Sequence, residues 1–150
     1  MRRSLIITLI VIQALSIAAQ RNEIYNNRIA SLQVVAGDDW LSPPVINLNS
    51  SDAINISFDD LTHEYHRYAY SIQHCEADWT PSNGIFSSEF IEGFADGNTI
   101  DDLEESMNTN VLFTHYTLHI PNERCRIKMS GNYKITVYDE NNCNEQIFTV

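Results

Sequence analysis

No pair of cysteines stands at CxxC spacing in this chain, and its three cysteines, Cys75, Cys125 and Cys143, are 50 and 18 residues apart. Those spacings match no zinc-ligand pattern. Three thiols are also too few to staple a small disulfide scaffold. One bridge with one free thiol, or three free thiols, are both open to such a chain. Positive charge is scarce as well: nine Lys and Arg face 20 Asp and Glu, for a formal net charge of −11. A surface of that sign repels nucleic acid and anionic lipid, which removes both from the plausible partners. No apolar run is long enough for a confident membrane span, the almost unbroken one from Leu5 to Val11 included. No GxSxG elbow occurs, and no Ser or Cys sits in a recognisable setting of base and oxyanion donors. Helical periodicity, internal repeats and low-complexity tracts are all missing.

What is present begins with a leader. Arg2-Arg3, the apolar run from Leu5 and the small residues Ser16, Ala18 and Ala19 read as a signal peptide over residues 1–20. The other reading of that segment is an uncleaved N-terminal anchor. Removing Arg2 and Arg3 leaves seven basic side chains against 20 acids, a net charge near −13. Residues 21–150 then form one domain, and the abrupt end at Val150, within a strand pattern, predicts the first domain of a longer protein.

Period-two alternation marks the strands. Ile54, Ile56 and Phe58 share one face, as do Tyr68, Tyr70 and Ile72, and as do Tyr133, Ile135 and Val137. His115 to Ile120 and Gln146 to Val150 add two more, and Val45 to Leu48 reads as a short one. Gly37-Asp38-Asp39 and Asn49 to Asp52 read as turns, and Pro43-Pro44 forces an extended segment. From Ser82 to Asn110 the periodicity is lost, seven acids occur without one Lys or Arg, and loops with a short edge strand are expected. The count is about seven to eight short antiparallel strands, an all-β sandwich of immunoglobulin or fibronectin III type. Tyr133, after Ser130-Gly131-Asn132, sits where such domains place a corner tyrosine. Trp79, closing the row that begins at Tyr68, reads as a core plug.

Several residue groups invite a chemical reading. His63, His66, His74, Cys75, Glu76 and Asp78 fall within 16 residues and include good zinc or copper ligands. Strand parity, however, turns His74 and Cys75 to opposite faces, so a hydrogen-bonded strand end is the better reading. Asp96 to Asp101 resembles a calcium loop, but Ile100 stands where an oxygen ligand is required. The Asn49-Ser-Ser and Asn55-Ile-Ser sequons matter only in a eukaryotic source. The strand order of a sandwich brings the end of the Tyr68 strand near Cys125, which predicts a Cys75–Cys125 bridge or contact. Phe86, Phe90 and Phe94, set among the acids, are candidate anchors of a partner interface with a polar rim. The other place for such rings is the core.

Six blocks together carry a family resemblance. They are Leu41-Ser-Pro-Pro-Val-Ile-Asn-Leu48, Ile56-Ser-Phe-Asp-Asp-Leu61, Tyr68 through His74-Cys-Glu-Ala-Asp-Trp-Thr-Pro-Ser82, Glu92-Gly-Phe94 through Thr109, His115 through Asn122, and Ser130 through Tyr138. Over roughly residues 25–150 the chain resembles the N-terminal domain of the type IX secretion system plug protein of Bacteroidetes. The resemblance implies a periplasmic, non-catalytic protein on the inner side of the outer membrane, closing the periplasmic entrance of the large translocon barrel. It implies no cofactor, no metal, no small-molecule substrate, no nucleic acid and no membrane insertion of the domain itself. A rival reading is an exported adhesion or carbohydrate-binding sandwich with Trp40 or Trp79 as a stacking platform.

Overall fold

The computed structural model describes residues 22–62, 64–142 and 145–150; the expected leader at 1–20, His63 and Cys143 lie outside them. Strands β1 (Glu23–Ile24), β2 (Ile29–Ala36), β3 (Ile54–Asp60) and β4 (Tyr68–Cys75) fill the first half. A four-residue helix α1 (Ser87–Phe90) and three short strands, β5 (Ile91–Gly93), β6 (Asn98–Thr99) and β7 (Asp102–Glu105), follow. Longer strands then return as β8 (Thr114–Ile120), β9 (Cys125–Ile127), β10 (Asn132–Asp139) and β11 (Gln146–Thr149).

Two antiparallel sheets face each other. One has the order β1-β11-β10-β4-β6 and the other β2-β3-β8-β7, while β5 and β9 pair as a separate ribbon. This is the all-β sandwich that the alternation implied. The register sets the core. Ile72, Tyr70 and Tyr68 of β4 lie opposite Ile135, Val137 and Asp139 of β10. On the facing sheet, Ile54, Ile56 and Phe58 lie opposite Ile120, Leu118 and Tyr116. These inward rows meet across the sandwich around Phe58, which is fully buried. Its ring stacks on Tyr116 at 5.2 Å and meets Tyr68 and Phe148 edge-on at 5.4 and 4.9 Å. Rings packed this way add about 0.5–1.5 kcal/mol per pair beyond the area they bury.

Three readings of the sequence need correction. Val45 to Leu48 forms no strand; Pro43 and Pro44 supply no N–H, and the Val45 N–H turns back to the Pro43 carbonyl at 2.7 Å. Strands exceed the expected seven to eight because β1, β5, β6 and β9 are only two or three residues long, too short to show a period. The inward row of β4 ends on buried His74. Beyond Cys75 the chain leaves the sheet in a turn, where Trp79 adopts φ 66° and donates its N–H to the Glu76 carbonyl at 3.0 Å. Trp79 is therefore a half-buried turn residue and stands outside the core cluster.

Candidate functional site

The acidic, phenylalanine-bearing stretch becomes α1 and the short strands β5, β6 and β7, which join the ribbon, the first sheet and the second sheet in turn. Glu89 accepts the Phe86 N–H through its carboxylate at 2.7 Å, which starts the single turn of α1. That turn swings Phe90 inward, where it is 7% exposed and packs near His74 and Tyr133 at 5.8 and 6.1 Å between ring centroids. Phe90 therefore departs from the anchor role read from the sequence: it belongs to the core. Phe86 and Phe94 stay outside, 76% and 70% exposed. Phe86 precedes α1 and Phe94 follows β5, which pairs with β9 and places Gly93 opposite Cys125. Glu89, Glu92, Asp96 and Asp101 are exposed along the same stretch, and Asp102, Glu104 and Glu105 are exposed on β7 at the edge of the second sheet. Arg124 pairs with Asp101 and donates to the Thr99 carbonyl at 3.1 Å. The Thr99 hydroxyl first, and Arg124 second, hold the Asp101 carboxyl below its ordinary range. Exposed rings on a chain segment rich in exposed acids can dock an apolar surface bordered by basic groups.

The apparent ligand cluster disperses. His74 hydrogen-bonds Ser82 Oγ through Nδ1 at 2.8 Å, with the Ser130 carbonyl 3.4 Å from Nε2. Asp78 instead caps its own turn, accepting from the Thr80 hydroxyl and N–H at 2.6 and 3.1 Å. Among the described residues no three His, Cys, Asp or Glu side chains converge as a metal site. Cys75 and Cys125, expected as a bridge or a contact, are both buried free thiols in this structure. Parity supplies the reason. Cys125 Sγ lies 3.5 Å from Tyr70 Oη, on the inward side of β4, whereas Cys75 belongs to the odd-numbered row facing the other way. Burial pushes the Cys75 thiol up from its usual range.

Beyond the ends of β4 and β8 lies an open groove of ≈ 930 Å³ whose lining includes Val45, Leu48, Trp79, Met129, Tyr133 and Val150. Trp40, 71% exposed, stands on the loop between β2 and β3. Tyr133 does take the corner geometry: its hydroxyl donates to the Met129 carbonyl at 2.6 Å, four residues upstream. Burial pushes its phenol up to about 12.

Sequence reasoning missed a polar cluster that joins the two sheets. Asp60, at the end of β3, has no exposed surface and accepts from Tyr68 Oη at 2.5 Å and from the Thr62 N–H and hydroxyl at 2.9 and 2.7 Å. Arg28 donates to Tyr68 Oη at 3.1 Å and to Asp139 Oδ2 at 3.0 Å, and His66 lies 3.7 and 3.6 Å from Asp60 and Asp139. Burial works against the Arg28 charge, but Tyr68, Asp139 and Asp60 outweigh it and hold its pKa above the ordinary value. Burial first, then Asp60, raises the Tyr68 phenol. Donors and acceptors here are matched to one another, which makes the cluster a pin between sheets. The available signal was positional: Asp60 and Asp139 each continue the inward row of an alternating strand, and an acid there requires a partner.

A family model described as the type 9 secretion system plug protein first domain matches residues 29–150. The chain is also similar to the crystal structure of a hypothetical protein from Parabacteroides merdae, with 40% identity and a TM-score of 0.82. That likeness covers 86% of this chain and 32% of the other, so the chain spans about a third of that protein's length. No curated protein matches it.

Proposed function

We propose that this chain, which belongs to the family of type 9 secretion system plug protein first domains, is part of a plug that closes the periplasmic entrance of the outer-membrane translocon barrel. Membership of the family makes it a component of type IX secretion machinery and gives it an envelope location. The match over residues 29–150 is the observation that carries the reading. In this reading the protein is non-catalytic, enters the periplasm by its leader, and is longer than the domain described here. The acidic stretch with Phe86 and Phe94 is the surface that meets the barrel. Its chemistry suits that role, because exposed rings bury on contact while the acids select a basic border.

The test uses the full-length protein in its native host. The wild type is expected to co-purify with a very large outer-membrane barrel, and recovery of a lone soluble protein would overturn the plug reading. A Phe86→Ala, Phe94→Ala double variant should keep its unfolding midpoint and lose retention on the barrel. Undiminished co-purification of that variant would leave the plug reading standing and remove this surface from it.

A further inference from the structure

The chain contains one Asn-Gly step, Asn83-Gly84, and we propose that Asn83 is a site of spontaneous deamidation and isoaspartate formation in the folded protein. The reaction needs the backbone nitrogen after an asparagine to reach that asparagine's own side-chain amide carbon. A glycine in the following position removes the side chain that would block the approach. Both residues are exposed in a turn, and nothing lies within 4 Å of where a Gly84 Cβ would stand. Among the described residues neither has a hydrogen-bond partner, so no bond must break before the nitrogen attacks. The flanks are fixed. Ser82 donates its N–H to the His74 carbonyl at 3.0 Å, and Ile85 packs against the core cluster. The free segment is thus confined to the step itself.

The chemistry balances without any oxidant. A base removes the Gly84 amide proton, and the nitrogen attacks Asn83 Cγ. The Cγ–Nδ2 bond then breaks and the amide leaves as ammonia, its third proton coming from water. The cyclic imide that results takes up one water. Opening at Cγ gives aspartate, and opening at the Asn83 main-chain carbonyl gives isoaspartate, with the backbone rerouted through the side chain. One water is consumed, one ammonia is released, and a negative charge appears two residues before Ile85-Phe86.

Other positions supply internal controls. Asp96-Gly97 has the same glycine, but Asp96 Oδ1 accepts the Gly97 N–H at 2.9 Å and the Tyr138 hydroxyl at 2.9 Å, and its carbon is a carboxylate, a poor electrophile. Asn98 and Asn122 donate their side-chain amides to the Phe94 carbonyl and to Tyr70 Oη. Asn49 and Asn108 are exposed but precede serine and threonine.

The experiment is peptide mapping of the intact protein aged at neutral and at mildly alkaline pH, with electron-transfer fragmentation to separate isoaspartate from aspartate. Asn83 should convert first, isoaspartate should exceed aspartate, and the rate should rise with pH. The folded protein should react within a few-fold of the urea-unfolded chain, and Asn83→Gln should remove the signal. The proposal is overturned if Asn49 or Asn108 reacts while Asn83 stays intact, or if folding protects Asn83 many-fold.

Discussion

Replacing Gly93 by alanine isolates a contact that no side chain reveals. Gly93 has φ 102°, and a Cβ built there would lie 2.1 Å from the Arg124 carbonyl oxygen and 3.0 Å from its carbon. Both atoms are backbone, so no rotamer change relieves the overlap; β5 and β9 must separate. The strain of such a φ in a residue with a side chain is about 1–3 kcal/mol. Separation also weakens the bond from the Phe94 N–H to the Arg124 carbonyl, now 3.1 Å, for about 1 kcal/mol more. The expected loss is therefore about 2–4 kcal/mol, a large share of the roughly 5–15 kcal/mol that holds a domain together. Gly97→Ala is the control. Its φ is 79°, but nothing lies within 4 Å of its Cβ position, so only the backbone term of about 1–2 kcal/mol applies. Urea unfolding of both variants, followed by tryptophan fluorescence, reads the difference. Equal losses at the two glycines would refute the contact argument, because conformation alone would then account for both.

Arg28→Met should destabilise by an amount near the low end of about 3–5 kcal/mol, because it strips the cation from two enclosed carboxylates while Asp60 keeps three donors. Equilibrium urea unfolding measures it, and a loss below about 1 kcal/mol would contradict the pin. Phe90→Ala should lower stability by about 3–5 kcal/mol by opening a cavity beside His74 and Tyr133, whereas Phe86→Ala should leave the midpoint almost unchanged. Thermal scans that found the two variants alike would refute the division between core and surface rings. Tyr133→Phe should lose about 1 kcal/mol near neutral pH with its bond to the Met129 carbonyl. The folded-state phenol of Tyr133 lies above its unfolded value, so its contribution is complete below about pH 10 and fades as pH rises through about 12. The gap between wild type and variant should accordingly close in that window, and a gap that stays constant there would refute the assignment.

Strands β3, β8 and β10 were legible because their burial alternates with period two over most of seven or eight residues, whereas β2, half-buried almost throughout, shows no such period. Ile54, Ile56 and Phe58, and likewise Tyr68, Tyr70 and Ile72, point inward as their alternation required. The stretch from Ser82 to Asn110 was opaque for a physical reason. Its elements are two to four residues long, held by pairings such as Glu92 with Arg126 and Ala69 with Thr99 that no local pattern encodes. Phe90 shows the consequence: one helical turn decides that it faces inward while Phe86 and Phe94 do not. Bonds across long separations were equally hidden. Arg28 and Asp139 stand 111 residues apart, and only the inward parity of the aspartate hinted at a partner.

That parity also suggests why a buried polar cluster is kept where apolar residues would pack. The inward rows of β3 and β10 each end on an aspartate, Asp60 and Asp139, and both carboxylates face Arg28. A one-residue slip of either strand would turn its aspartate to the outer face and leave Arg28 with one carboxylate in place of two. An apolar end would tolerate that slip at little cost, since Leu or Val packs against most neighbours. The cluster penalises the wrong register more than it stabilises the right one, which is our hypothesis for its role. The Arg28→Met unfolding curve separates the two contributions. A reduced slope with denaturant, together with a shifted midpoint, would mean that the native state has lost its single register. A shifted midpoint at unchanged slope would assign the cluster to stability alone, and would sink the hypothesis.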